Sequence, residues 1–130
     1  MAPAQASLLA KLDTQERVRD FLTNAVASGR ASHAYLFLGA PGAGKLDAAW
    51  ALAQAFLCEQ DGCGACDSCV RVSRHTHPDV HYCTPESATG YLIAQTRELL
   101  DDVPLAPIRA KAKVYIIDRA EQLRANTANA

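Results

Sequence analysis

The chain has 130 residues, 49% of them hydrophobic, and a formal net charge of −1. That length and apolar content sustain one packed domain, expected to run over residues 1–130. The charge balance excludes a whole-chain electrostatic affinity for nucleic acid or an anionic membrane. The stretch after Met1 lacks a basic leader, and the longest apolar run, Ala48–Cys58, is broken by Gln54 and too short to span a bilayer. The expectation is a cytoplasmic protein with no membrane attachment.

Val18, Phe21, Leu22, Ala25 and Val26 recur at helical spacing. Asp13 followed by Glu16 offers a capping box and Gly29 a stop, which predicts an amphipathic helix over 14–28. Ala34–Leu38 is a short, wholly apolar run ending at a glycine loop, the pattern of a buried strand. The alanine- and leucine-rich stretch after Lys45, to about Cys58, is apolar on most faces and reads as an enclosed helix. Val80–Cys83 is a second strand, 91–100 a helix, and Pro104 and Pro107 mark a loop. Lys113–Asp118 is a third strand, and a helix begins at Arg119. Strands alternating with helices imply an α/β fold with a parallel sheet.

Gly39, Ala40, Pro41, Gly42, Ala43, Gly44 and Lys45 fit the phosphate-loop pattern of a glycine, four residues, a glycine and a lysine. Glycines let successive backbone N–H groups turn into one concavity, the helix that follows adds its positive end, and the lysine reaches the outer phosphates of a nucleoside triphosphate such as ATP. A plain glycine-rich turn between a strand and a helix is the alternative. The next residue should carry a hydroxyl to hold Mg²⁺. It is Leu46, so the backbone and Lys45 remain to hold nucleotide while Mg²⁺ placement is impaired. The third strand ends on Asp118, where a metal-holding acid belongs. A helix N-cap is the plainer role for that residue, compatible with the first. The water-orienting glutamate expected next is replaced by Arg119, and the nearest glutamate is Glu121. Two altered catalytic parts together point to slow or absent hydrolysis.

Four of the five cysteines, Cys58, Cys63, Cys66 and Cys69, fall within twelve residues. Four thiolates at such spacings suit one tetrahedral, closed and therefore structural Zn²⁺. Such a site contributes on the order of 10 kcal/mol to folding. Buried thiols without metal are the alternative, most of all for Cys58. Cys83 reads as core. His75, His77 and His81 read as surface or structural groups rather than ligands. With Arg71 and Arg74 they form a local basic patch, either a solvated helix face or a surface for a partner or DNA.

Together, His33–Phe37 leading into the glycine loop, the cysteines after the loop's helix, His77–Val80, Thr96–Leu100 and Lys113–Asp118 with Ala120 and Glu121 resemble one family. The chain is similar, from about residue 14 to its end, to the N-terminal region of bacterial DNA polymerase III clamp-loader subunits. The resemblance implies a P-loop AAA+ sheet flanked by helices, with an inserted four-cysteine zinc module. In that sheet a later strand separates the loop-bearing strand from the one ending at Asp118. That strand would follow residue 130, as would the arginine finger, sensor residues, lid and collar. On this reading the chain is a fragment with an unfinished sheet, marginally stable alone. Leu46, Arg119 and His77-Pro78-Asp79 resemble the delta-prime subunit more than the gamma/tau motor. The first cysteine spacer departs from the family pattern, which touches Cys58 alone. What is implied is a non-motor subunit that assists ATP-dependent loading of the sliding clamp onto primed DNA. Its partners would be the gamma/tau and delta subunits, and it would form one wall of a neighbour's ATP site. The alternatives are an active gamma/tau-type ATPase, or a zinc-stabilised adaptor with a relic phosphate loop.

Overall fold

In a computed structural model the chain is described over residues 7–12 and 15–123. The capping residue expected at Asp13, the helix start at Thr14 and the stretch from 124 onward lie outside these residues. The chain divides into two compact units, Met1–His77 and Pro78–Ala130. No helix among the described residues is long and apolar enough to cross a membrane.

The first unit is helical. A 3₁₀ turn (Leu9–Lys11) precedes α1 (Glu16–Ala27), α2 (Lys45–Leu57) and α3 (Asp67–Ser73). Leu22 and Val26 of α1 meet Ala51 and Ala55 of α2 and Leu9 of the turn in one buried cluster. Alanines on α2 let the backbones approach closely, so α2 buries Ala48, Trp50, Ala51, Ala53, Gln54, Ala55 and Leu57. The end of α1 follows from Gly29: its N–H bonds to Val26 O at 3.1 Å and that of Arg30 to Ala25 O at 2.9 Å. Those two bonds make a Schellman stop. The end of α3 repeats it without glycine, His75 taking φ 57°. The His75 N–H bonds to Val72 O at 3.0 Å and that of Thr76 to Arg71 O at 2.8 Å. The left-handed strain at His75 is offset by its ring, which stacks on Trp50 with centroids 3.8 Å apart and planes 8° from parallel.

Residues 34–38 correct the sequence reading. They are not assigned to a strand. Tyr35 and Phe37 pack against the core cluster, whereas Leu36 is 73% and Leu38 84% exposed. The segment thus keeps the alternation of a strand, with one face half-buried rather than two faces buried. A strand needs ladder bonds to a neighbour, and none is formed there among the described residues.

The second unit contains the sheet. β1 (Val80–Cys83) pairs in parallel with β2 (Val114–Ile117), Val80 opposite Val114 and Cys83 opposite Ile117. The crossover between them carries α4 (Ile93–Asp102), so the α/β reading holds with a two-stranded parallel sheet. Asp79, fully buried, accepts the N–H groups of Ile108, Arg109 and Ala110 at 2.6, 2.7 and 2.7 Å. One carboxylate therefore folds the loop after Pro104 and Pro107 back beside the start of β1. After β2, residues 120–122 form a single 3₁₀ turn where a helix was expected.

Candidate functional site

The four cysteines expected to share a metal are brought together. Cys58 ends α2, Cys63 lies in the following loop, and Cys66 and Cys69 stand at the N-cap and in the first turn of α3. Their Sγ atoms all lie within 4.8 Å of one another. Cys58 and Cys66 are 3.8 Å apart at sulfur, and Cys63 and Cys69 4.0 Å. A tetrahedron of ~2.3 Å Zn–S bonds has sulfur–sulfur edges of about 3.8 Å. The donor set thus fits a Zn²⁺ ion in number, chemistry and spacing, and Cys58 belongs to it despite its short spacer.

The surrounding backbone favours thiolates. The N–H groups of Gln60 and Cys63 point at Cys58 Sγ (3.3 and 3.4 Å), and those of Ala65 and Cys66 at Cys63 Sγ (3.4 and 3.3 Å). The Cys69 N–H points at Cys66 Sγ at 3.4 Å. Such outer bonds orient ligands and stabilise negative sulfur. The N–H groups of Ala65 and Cys66 lower the Cys63 thiol to about 6. Burial pushes Cys58 up, but the N–H groups of Cys63, Gln60 and Gly62 outweigh it and leave it lowered. Burial raises Cys66 and Cys69. A side chain at Gly62 would be strained: its φ is +97°, and a Cβ would lie 3.3 Å from Ala55 Cα.

No histidine joins this group among the described residues, and four of the five residues of the expected basic patch have partners of their own. Arg71 pairs with Asp67 at 2.9 Å. His75 stacks on Trp50, and His77, 4% exposed, lies 3.4 Å from Ser68 Oγ. In the second unit His81 stacks on Tyr115 and approaches Asp102 at 3.4 Å. Tyr115 and Lys113 bond the same Asp102 carboxylate and hold it below the usual range. Cys83 is half-buried in β1, which raises its thiol.

Gly39–Lys45 forms a turn that feeds α2. The Ala43 N–H bonds to Ala40 O at 3.1 Å, and Gly42 and Gly44 take φ 82° and 95°. Gly44 is the helix N-cap and has no side-chain cap bond. The N–H groups opening α2 thus lack intrahelical acceptors, as at any helix start. Lys45 and Leu46 are exposed, Leu46 at 38%. Gln15 Nε2 donates to Ala43 O at 3.3 Å and ties the turn to the start of α1.

Asp118 belongs to the second unit, one residue past β2. Its N–H bonds to Cys83 O at 2.9 Å, and its carboxylate accepts the Tyr82 hydroxyl at 2.6 Å. The Tyr91 hydroxyl sits between the carbonyls of Cys83 and Asp118. Arg119 takes φ 50° and donates to Thr84 Oγ1 at 2.8 Å. The residue in the glutamate's place is thus turned toward a threonine at the end of β1. Sequence reasoning missed Tyr82, Tyr91 and Asp79 as partners; only Asp79 had been singled out, within the His-Pro-Asp run.

Residues 14–130 match the family model described as DNA polymerase III, delta subunit. Over 120 residues the chain is 39% identical to DNA polymerase III subunit delta' of Bacillus subtilis, covering 90% of this chain and 36% of that protein. It is 38% identical over 120 residues to DNA polymerase III subunit tau of Escherichia coli, covering 89% of this chain and 18% of that protein. The gamma/tau subunit of Mycobacterium tuberculosis is 34% identical over 113 residues, with 84% of this chain and 20% of that protein covered. The chain therefore spans between 18% and 36% of the length of these relatives.

Proposed function

Because this chain belongs to the DNA polymerase III delta-subunit family, we propose that it serves as a non-motor, delta-prime-like clamp-loader subunit in DNA replication. It assists ATP-dependent loading of the sliding clamp onto primed DNA, in company with gamma/tau and delta subunits, in the cytoplasm. Residues 1–130 supply the N-terminal part of an AAA+ nucleotide-binding domain. Gly39, Ala40, Pro41, Gly42, Ala43, Gly44, Lys45 and Leu46 form its phosphate loop, with Asp118 at the end of the acidic strand. The loop holds ATP through backbone N–H groups and Lys45. Cys58, Cys63, Cys66 and Cys69 hold a structural Zn²⁺, which cross-links the end of α2 to α3.

One observation carries the non-motor reading: both catalytic positions are occupied by residues unable to do the work. Leu46 offers no oxygen to Mg²⁺, and Arg119 is turned to Thr84 Oγ1 where a motor has its glutamate. ATP turnover by the protein alone tests this. Background-level hydrolysis, unchanged by Lys45→Ala, is expected. Steady turnover abolished by Lys45→Ala would instead establish the gamma/tau-type ATPase, a reading favoured by the comparable identity to tau.

A further inference from the structure

Among the buried residues of α2, Gln54 alone carries a side-chain amide, and it is 1% exposed. A buried amide is costly unless both its ends are bonded. Both are. Oε1 accepts the Leu8 N–H at 2.8 Å, and Nε2 donates to the Cys69 carbonyl at 3.0 Å. Cys69 is fully buried, and Leu8 directly precedes Leu9 of the core cluster. Gly62 fits against the same stretch of α2: a Cβ there would lie 3.3 Å from Ala55 Cα and 3.5 Å from Ser7 Oγ. The cysteine loop and the N-terminal segment thus lean on one patch of α2, and one side chain bonds them both.

We propose that Gln54 is a positioning residue for the cysteine site. It fixes the backbone of the Cys69 ligand and links the state of that site to the docking of the N-terminal segment through the Leu8 amide. The inference rests on the reading of the four cysteines as a zinc site. Linkage makes the effect reciprocal: whatever the docked segment adds to zinc affinity, zinc adds to the order of the segment.

The test uses Zn²⁺ itself, competed against a chromophoric chelator, with amide hydrogen exchange read at Leu8 and at Leu22 and Val26 of α1. Gln54→Met keeps the volume and removes both bonds; Gln54→Glu keeps an acceptor for Leu8 and removes the donor to Cys69. Both variants are expected to weaken zinc by about tenfold. Gln54→Met also loses Leu8 protection, whereas Gln54→Glu retains it. Zinc affinities within about twofold of the wild type would overturn the proposal, since a merely structural glutamine predicts them. If neither variant folds, zinc withdrawal from the wild type decides. Exchange at Leu8 rising well above that at Leu22 and Val26 supports the link, and an equal or absent rise overturns it. Failure of the wild type to bind zinc at all would sink the zinc reading itself, a distinguishable result.

Discussion

The Tyr82 hydroxyl donates to the Asp118 carboxylate at 2.6 Å across the parallel pair of β1 and β2. The acid at the end of β2 is thus engaged by protein. Asp118→Asn keeps an oxygen for that bond and removes the charge a metal needs. The expected outcome is a stability change below about 1 kcal/mol, because an exposed bond of this kind contributes little. ATP affinity should move by less than about threefold. A motor-type site would lose nucleotide-linked Mg²⁺ and activity together, which binding and turnover measured side by side would reveal.

Three of the four tyrosines should ionise late. Burial pushes Tyr91 to about 12; the bond to Asp118 and then burial raise Tyr82; burial and the bond to Asp102 raise Tyr115. A folded-state value above the unfolded one means stability fully present below about pH 10 and lost as pH rises through the folded values. Tyrosinate absorbance should therefore lag that of the denatured chain, and denaturant midpoints should fall between about pH 10 and 12. A native titration overlaying the denatured one would refute this.

Asp79→Asn should be the more damaging acid-to-amide change. Three backbone N–H groups converge on that carboxylate. An amide has one acceptor oxygen, and its NH₂ would face a donor. The cost is on the order of 3 kcal/mol. Hydrogen exchange at Ile108, Arg109 and Ala110 should accelerate first.

Much of this was legible in the sequence because local signals agreed with tertiary ones. Val80–Cys83 is a strand as read, and the enclosed helix expected after Lys45 begins at that residue. The cysteine spacing anticipated a cluster now seen at sulfur-to-sulfur distances. What escaped was long-range. Ala34–Leu38 has the composition of a buried strand, but burial of both faces depends on neighbours that composition does not name. Gln54 looked like an interruption in an apolar run, and its two partners lie 46 and 15 residues away. Asp79 was quoted within a motif, while the N–H groups that explain it come from 29 to 31 residues later.

The cysteine site predicts one zinc per chain by elemental analysis, and about none after Cys63→Ser with Cys69→Ser. Chelation should lower the thermal midpoint of the wild type and leave that of the double variant unmoved.

The most direct test of the central claim, a phosphate loop that holds a triphosphate without placing its metal, is titration of the protein with a labelled ATP analogue, with and without Mg²⁺. The expected result is saturable binding, weakened by Lys45→Ala, with Kd changing less than about threefold on adding Mg²⁺. Absence of saturable binding, or tightening by about tenfold or more with Mg²⁺, would contradict it.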